Sequence, residues 1–578
     1  MLGASLKNDG CDFRVWAPLP AQVTLRLMSS ASAGTRDLKM LRSSDGYFSI
    51  HTEARAGDRY FYIAGDSKPL PDPVSRLLPE GVHGPTEIVD PTRFPWTDRN
   101  WRGLPLSDYI IYELHTGTFT PQGTFAAAIE KLSYLKSLGI TVIELMPVAA
   151  FPGTRNWGYD GVSPYAVQSS YGGPEALRGF VDAAHALGLA VILDVVYNHL
   201  GNEGNYLRQF GPYFTDRHKT PWGEAINYDQ ECCQPVREYV VQNALYWIRE
   251  FHFDGLRLDA VQTIVDDSPT HILADIGEEV RKLARASRRE VCVIAETDQN
   301  DEKIVRPRAR GGYGLDALWS DDFHHAVHAF FTGERQGYYQ DFGEPEQIVK
   351  ALNEGFVFQG QPARYWNGYP RGTPAQGIPA PAHVICLQNH DQVGNRPQGE
   401  RLTTLVPRGA RMAVAALLLL SPHTPLMFMG EEYDEHNPFL FFTDYGDPEL
   451  RWAVSQGRRD EFRDFGHGTT IGPDPQSPAT FGRSKLNWLA ANDENKMLAW
   501  YRSLLDMRRH VFPRQRTCKA ELTDGVIHMQ VPAQHPRIKV YARIQGAAAL
   551  PQTLPGWQTV LKAEENGYAV ELFLKSRP

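Results

Sequence analysis

The sequence predicts an α/β protein in which a (β/α)8 TIM barrel lies between an N-terminal β-sandwich domain and a C-terminal antiparallel β-domain. From Asp108 onward, eight short apolar runs alternate with amphipathic helical segments, which is the order of elements in a closed parallel barrel. On both sides of this region, apolar and polar residues alternate, as they do in antiparallel strands with one solvated face. The predicted domains span residues 1–95, 96–512 and 513–578.

The first hundred residues contain short alternating runs separated by turn-forming clusters such as Ser44-Asp45-Gly46. The runs cover residues 13–16, 23–27 and 60–63. They predict a small β-sandwich, and the proline-rich stretch 69–95 predicts a connection that packs over the next domain. Near the C-terminus, the runs 526–529 and 538–541 alternate in the same way. They predict the antiparallel β-domain that closes the chain.

In the central region, each predicted helix ends in glycine just before the next strand. A helix with Ile129, Leu132, Leu135 and Leu138 on one face ends at Gly139, and the strand 140–143 follows. A second helix ends at Gly188 before the strand 189–193. The other predicted strands are 109–112, 255–258, 291–295, 315–319, 384–387 and 425–428. A doubly wound open sheet is the alternative, but it usually has fewer strands and a glycine-rich phosphate loop, which is missing here.

Composition and charge exclude several classes of protein. Lys and Arg total 59 against 68 Asp and Glu, and a net charge of −9 predicts no nucleic acid partner. The longest apolar run, Met412 to Leu420, is too short to cross a bilayer, and the N-terminus has no export signal, so we expect no membrane partner and a cytoplasmic location. The six cysteines have neither CxxC spacing nor the density of a disulfide scaffold, which predicts reduced thiols and no zinc site.

Polar residues follow four of the predicted barrel strands, at the point where each strand ends. Reactive groups of a (β/α)8 barrel lie at this end of the strands, so these residues are candidates for a site. Most of them are acids, and together they would place four carboxylates on one rim. They are Asp194 and His199 after the third strand, Arg257 and Asp259 at the fourth, Glu296 at the fifth, and His390 and Asp391 at the seventh.

A single acid at a strand end commonly caps a helix or pairs with a base. Several acids on one barrel mouth raise one another's proton affinity, an arrangement expected where one carboxylic acid donates a proton while another stays ionised. Glycoside hydrolysis requires this division. Arg257 alternates with Asp259 on one strand face, so its charge would keep Asp259 ionised or form an interior salt bridge to Asp194. His199 and His390 are either core histidines or donors to sugar hydroxyls.

In their order along the chain, these motifs resemble the conserved regions of the α-amylase superfamily of glycoside hydrolases, glycoside hydrolase family 13. The motifs are 194–199, 255–260, 295–296 and 389–391, and the resemblance covers almost the entire chain. It implies that Asp259 forms a covalent β-glucosyl-enzyme and that Glu296 protonates the leaving oxygen and then activates water. Asp391 would hold neighbouring hydroxyls, and the product would keep the α configuration. Tyr159 would stack on the sugar being cleaved, or else it is an ordinary loop aromatic.

Three further stretches, 112–120, 221–227 and 437–444, favour one subgroup of the superfamily. The resemblance implies hydrolysis of the α-1,4 bond next to the terminal trehalose of a maltooligosyltrehalose, so the expected partner is an oligosaccharide. Gln262 and Thr263 stand where many α-amylases have Lys-His, so the subsite beyond the cleaved bond should differ. We expect no cofactor and no required metal: Asn198 occupies a position that binds calcium in some α-amylases, but no acidic cluster completes such a site.

The connection from 320 to 370 is long for a barrel, and we predict that Asp322 and His325 in it help to hold the sugar. The alternative is a docked helical excursion. Two other functions stay open for the whole chain. A glycogen branching or debranching enzyme would share the sandwich, the barrel and the acids. A non-catalytic glucan-binding protein would keep the barrel as a scaffold, but such proteins usually lose one of the acids, and all three are present here.

Overall fold

Eight parallel strands form a closed barrel in the computed structural model, which describes residues 2–30, 34–464, 472–511 and 517–575. In barrel order the strands are Ile111–Leu114, Val142–Leu145, Ala190–Val195, Gly255–Leu258, Cys292–Ala295, Ala317–Trp319, His383–Cys386 and Thr424–Phe428. The eighth strand pairs with the first and closes the barrel. The predicted fold class is therefore confirmed, with the first two strands displaced by two residues from their predicted positions.

The barrel interior is filled by apolar side chains from seven of the eight strands and by Tyr109, two residues before the first strand. Buried parallel strands carry near-continuous apolar runs because both faces are covered, and these strands follow that rule. The interior cluster consists of Tyr109, Ile111, Val142, Ala190, Ile192, Cys292, Ile294, Ala317, Trp319, Val384, Cys386 and Leu426. The fourth strand contributes Arg257 instead, whose guanidinium carbon lies 4.2 Å from the centre of the Trp319 ring. The positive charge of Arg257 therefore lies inside the barrel, next to the predicted site.

Helices connect most of the strands. They are Thr116–Phe119, Phe125–Ile129, Leu132–Leu138, Gly173–Ala186, Leu207–Phe210, Cys233–Glu250, Ile272–Ser287, Asp322–Thr332, Pro345–Glu354, His390–Gly394, Leu402–Leu405, Arg408–Leu419, Pro448–Asp464, Pro478–Arg483 and Lys496–Val511. Between the fifth and sixth strands only two 3-10 turns occur, Glu302–Ile304 and Arg308–Arg310, so the predicted strand-helix alternation is interrupted once. The helix predicted to end at Gly139 does so, because Gly139 adopts a φ of 113° and donates to the carbonyl oxygens of Leu135 and Lys136. This helix begins at Leu132, however, and Ile129, predicted on the same helix, ends a separate short helix.

Two four-stranded antiparallel sheets precede the barrel. One contains Gly3–Lys7, Gly10–Trp16, Tyr47–Thr52 and Leu41–Arg42, and the other contains Thr35–Lys39, Val23–Met28, Arg59–Ala64 and Thr86–Glu87. A five-stranded antiparallel sheet follows the barrel, with the strands Lys519–Thr523, Val526–Val531, Ile538–Arg543, Tyr568–Lys575 and Trp557–Glu565 in that order. Three short hairpins, Ala149–Ala150 with Ser163–Val167, Phe214–Thr220 with Gly223–Ile226 and Gln361–Pro362 with Pro370–Arg371, project from the connections.

Three remaining sequence predictions concern the second domain boundary, the cysteine thiols and membrane-spanning segments. The predicted boundary between residues 512 and 513 lies outside the described residues. All six cysteines are free thiols, as the absence of a disulfide pattern predicts. Within the described part of the chain, no helix combines the length and the apolar character needed to cross a bilayer.

Candidate active site

Arg257 links the acids at the ends of the third and fourth strands. Its Nη1 donates to both carboxylate oxygens of Asp194, at 3.0 and 2.9 Å, and to Oδ1 of Asp259 at 2.8 Å. The amide of Asn198 donates to Oδ2 of Asp259 at 2.8 Å, so both oxygens of this carboxylate are held. Burial raises the pKa of Asp194 to about 6, although Arg257 acts in the opposite direction. Both roles considered for Arg257, contact with Asp259 and an interior salt bridge, are present geometrically.

Glu296 lies next to the same guanidinium. Its Oε2 is 3.5 Å from Nη2 of Arg257 and accepts a 2.6 Å hydrogen bond from the backbone N–H of Ala260. Ala260 has a φ of 38°, in the left-handed region that residues with a Cβ rarely occupy, and this backbone turn aims its N–H at Glu296. Burial raises the pKa of Glu296 well above its usual range; Arg257 opposes the shift, and the nearby charges of Asp259, Asp321 and Asp391 add to it. The raised pKa favours the protonated form of Glu296.

His390 and Tyr159 form the side of the site nearest the first strand. The hydroxyl of Tyr159 donates to Oδ2 of Asp194 at 2.6 Å, so Nε2 of His390, 2.8 Å away, is the donor to the Tyr159 oxygen. Nδ1 of His390 faces the carboxylate of Glu113. Burial opposes protonation of His390, but Glu113 outweighs it, so the pKa of His390 is raised.

The other predicted residues of this rim differ in their exposure and in their hydrogen-bond partners. Asp391 is exposed, and its Oδ1 accepts from the amide of Asn395 at 2.6 Å. His199 is buried, bonds to Oδ1 of Asn198 at 2.7 Å and stacks on Trp222 with ring centres 4.3 Å apart. Gln262 lies three residues after Asp259, and its buried Oε1 has no hydrogen-bond partner among the described residues. Asn198 contacts Oδ2 of Asp259 through its amide nitrogen and Nδ1 of His199 through its Oδ1.

Asp322 and His325, which we predict to help hold the sugar, are both buried in the protein. Asp322 is 0% exposed, and its Oδ2 accepts from the backbone N–H groups of Val357 and Phe358 and from the amide of Asn300. His325 is buried against the ring of Tyr338, with centres 4.8 Å apart. The contacts of Asp322 are those of a residue that docks the 320–370 excursion onto the barrel. They favour the alternative interpretation, and the proposed sugar contact by these two residues stays a prediction.

Three acids of the barrel mouth and interior are missing from the predicted set: Glu113, Glu144 and Asp321. Glu113 and Glu144 are fully buried and pair in register on the first and second strands. Asp321 lies two residues after the end of the sixth strand. Burial, together with the nearby charge of Asp391, raises the pKa of Asp321 to about 7. Asp321 could have been predicted as a polar residue that follows a barrel strand. The signal for the other two is an acid inside an apolar strand, where an uncompensated charge is costly.

Glu144 provides a test of these electrostatics. Neither carboxyl oxygen has a hydrogen-bond partner among the described residues, and burial followed by the charge of Glu113 raises the pKa of Glu144 well above its usual range. An acid with a raised folded-state pKa costs no stability below its unfolded-state pKa, near 4.5, and stability falls as the pH rises from there. Glu144→Gln is therefore expected to gain stability relative to the native protein between about pH 4.5 and pH 8.

Urea unfolding at both pH values measures this difference, and the exposed Glu53→Gln variant is the control. A stability difference between Glu144→Gln and the native protein that does not change with pH contradicts the expectation.

One group of side chains in the described residues has the geometry to bind a metal ion. The ligand atoms of His218, Asp229 and Asp267 lie within 4.8 Å of one another. They already engage each other and the protein, because Nε2 of His218 is 2.9 Å from Oδ2 of Asp229 and Arg217 contacts Asp267 at 3.2 Å. The arginine competes with a cation for Asp267, and none of the three residues belongs to the acid cluster around Arg257.

Known proteins with similar sequences and structures agree with this geometry. A family model described as the catalytic domain of alpha amylase matches residues 89–222. A solved structure of a Salmonella typhimurium protein assigned as an alpha amylase is 41% identical and superposes with a TM-score of 0.89 over 99% of each chain. A pullulanase from Anoxybacillus sp. LM18-11, complexed with maltotetraose, shares the fold at 19% identity, with a TM-score of 0.73 over 99% of this chain and 87% of the pullulanase. The barrel and its acids thus define an α-amylase-type glycoside hydrolase.

The curated relatives define the family more narrowly. The malto-oligosyltrehalose trehalohydrolase of Saccharolobus solfataricus is 49% identical over 88% of this chain and 86% of its own length. The enzyme of the same name from Arthrobacter ramosus is 46% identical over 86% of this chain and 87% of its own. A glycogen branching enzyme from Corynebacterium jeikeium reaches 29% identity over 62% of this chain. The chain belongs to the malto-oligosyltrehalose trehalohydrolase family.

Proposed function

We propose that this protein hydrolyses the α-1,4-glucosidic bond next to the terminal trehalose unit of a maltooligosyltrehalose, with retention of configuration. Trehalose leaves, and a maltooligosaccharide is released by water. The observation that carries the chemistry is the shared contact of Asp259 and Glu296 with Arg257 at the ends of adjacent strands. The trehalose specificity is supported by the relatives of that name, which align with most of this chain.

In this proposal, Asp259 is the nucleophile. Arg257 and Asn198 each donate to one of its carboxylate oxygens, which fixes its orientation. Glu296 is the general acid, because its raised pKa keeps the proton on the carboxyl until the leaving oxygen of trehalose takes it. After trehalose departs, the same carboxylate accepts a proton from the water that attacks the anomeric carbon. Water then displaces Asp259 from the face opposite to its bond, and two inversions restore the α configuration.

Asp391, Asp194, His390 and Tyr159 complete the proposed sugar site. Asp391 is exposed on the rim, and among the described residues only its Oδ1 accepts from a side chain, so its other oxygen can accept from sugar hydroxyls. A chain of hydrogen bonds runs from Glu113 through His390 and Tyr159 to Asp194, and it fixes the ring of Tyr159 beside the site. Gln262 and His199 are proposed to contribute contacts beyond the cleaved bond.

The stereochemical course tests the mechanism. Proton NMR during hydrolysis of a maltooligosyltrehalose distinguishes the anomer formed first from the mixture that mutarotation produces later. We expect trehalose and an α-maltooligosaccharide to appear together. A β-anomer as the first product would contradict the role of Asp259 as nucleophile, because a single inversion needs no covalent intermediate.

Asp321 is expected to control the pH dependence of the reaction through Glu296. The nearby negative charge of Asp321 helps to raise the pKa of Glu296, and loss of the Glu296 proton sets the alkaline limb of kcat/KM. Asp321→Asn should therefore move this limb to lower pH. Exposed Asp493→Asn, a matched loss of one negative charge, should leave it unchanged. A limb that stays in place, or moves to higher pH, in Asp321→Asn contradicts this coupling.

We also propose a cytoplasmic location. The support is chemical: six free thiols, with no disulfide among them, suit a reducing compartment.

A further inference from the structure

A cleft of about 480 Å³ lies at the end of the barrel opposite the acid cluster. Its lining includes Val291 and Asp316, which immediately precede the fifth and sixth strands, together with the C-terminal half of helix Ile272–Ser287. Strand starts lie at the face of the barrel away from the catalytic rim, so the cleft is separate from the proposed sugar site. Five arginines line it: Arg102, Arg281, Arg285, Arg288 and Arg289.

The cleft has an excess of positive side chains in a chain that carries a net charge of −9. Only two acids, Glu290 and Asp316, share the lining with the five arginines. Arg281 bonds to Glu278 at 3.1 Å and Arg289 to Asp254 at 2.8 Å, so both of these charges are already paired. Arg102 donates only to backbone carbonyls.

Arg285 and Arg288 carry the unpaired charge. Both are exposed, and neither forms an ion pair within the part of the chain that the structure describes. Arg288 has a φ of 54° at the end of the helix, and its backbone N–H caps the carbonyl of Arg285. This conformation ends the helix, as left-handed residues commonly do.

The chemistry of the lining selects the kind of ligand. Guanidinium groups bind phosphate oxygens through paired N–H donors, and several together suit a doubly charged anion better than a neutral sugar. The negative end of the helix dipole, roughly half a charge, disfavours an anion, but it is smaller than the excess of positive side chains. A volume near 480 Å³ is within the range of small-molecule pockets, about 300–1,000 Å³.

We propose that this cleft binds a small phosphate-bearing anion, held chiefly by Arg285 and Arg288 with Arg102 beside them. The site is independent of the hydrolytic one. Because helix Ile272–Ser287 joins the strand of Asp259 to that of Glu296, the bound anion contacts the connection between the two proposed catalytic strands. The ligand is either an inorganic polyphosphate or a phosphorylated sugar, and two probes separate these sources.

Isothermal titration calorimetry of the full chain with inorganic pyrophosphate and with glucose 6-phosphate, at constant ionic strength, tests the proposal. We expect at least one probe to bind the native protein and to bind the double variant Arg285→Gln with Arg288→Gln at least tenfold more weakly. The double variant Arg36→Gln with Arg42→Gln removes the same charge from the exposed N-terminal sheets and should bind like the native protein. Both variants should keep native hydrolysis.

A third variant, Arg285→Lys with Arg288→Lys, keeps both charges and removes the forked donors. It should bind more weakly than the native protein and more tightly than the glutamine variant. Three outcomes overturn the proposal: neither probe binds the native protein, the glutamine variant at this cleft binds as tightly as the native protein, or both glutamine variants lose affinity equally, which indicates a general charge effect.

Discussion

Asp259→Asn is expected to lower kcat for maltooligosyltrehalose by on the order of 10⁴-fold or more. Asparagine keeps the shape of the side chain but has no anionic oxygen with which to form the glycosyl-enzyme. The amide also presents N–H groups to Arg257 or Asn198, each of which donates to Asp259 in the native protein. Chemistry therefore stops, whereas the surfaces that bind the oligosaccharide change little.

Steady-state kinetics and calorimetric binding separate these two effects. Substrate affinity in Asp259→Asn should stay within about tenfold of the native value, the scale of one ordinary hydrogen bond. Asp9→Asn, an exposed acid of the first sheet with 81% of its side chain accessible, is the control and should retain full activity. A variant that binds substrate and still hydrolyses it at a native rate would remove Asp259 from the mechanism.

Glu296→Gln is expected to lower kcat by about 10²–10⁴-fold, the usual range for loss of a positioned general acid. The defect should depend on the leaving group, because fluoride needs less protonation than the trehalose oxygen. With an α-maltosyl fluoride, fluoride leaves as Asp259 bonds to the anomeric carbon, and the missing base then limits the attack of water.

Azide provides the specific readout for this variant. The azide anion needs no general base, so it attacks the anomeric carbon, breaks the bond to Asp259 and gives an α-maltosyl azide. Added azide should therefore restore turnover of the fluoride by Glu296→Gln. A β-azide product, or no response to azide, would contradict the assignment of Glu296 as the acid and base of a retaining mechanism.

The sequence predicts the barrel well because its information is local. An apolar run, a glycine after a helix and a polar residue at a strand end are each read within a few positions, and this suffices for Asp259, Glu296 and Asp391 to be selected. The contact between Arg257 and Asp194 is also accessible from sequence, since their strands are consecutive in the barrel and Asp194 pairs with Arg257 in register.

Contacts between distant segments are not accessible in this way. Asp322 is engaged by Asn300, Phe358 and Arg371, whose positions relative to it depend on how the excursion folds back. The chain from Glu113 to His390 joins residues that are 277 positions apart. Closure of the barrel brings its first and seventh strands near each other, so only the assembled fold reveals that Glu113 supports the site.

A side-by-side product analysis tests the central claim most directly. Purified protein is offered a maltooligosyltrehalose, the maltooligosaccharide of matching length and glycogen, while free trehalose and new reducing ends are followed. The proposed function predicts rapid release of trehalose from the first substrate and slow attack on the other two. Cleavage or rearrangement of glycogen without any release of trehalose would contradict it and indicate a branching or debranching enzyme on the same barrel.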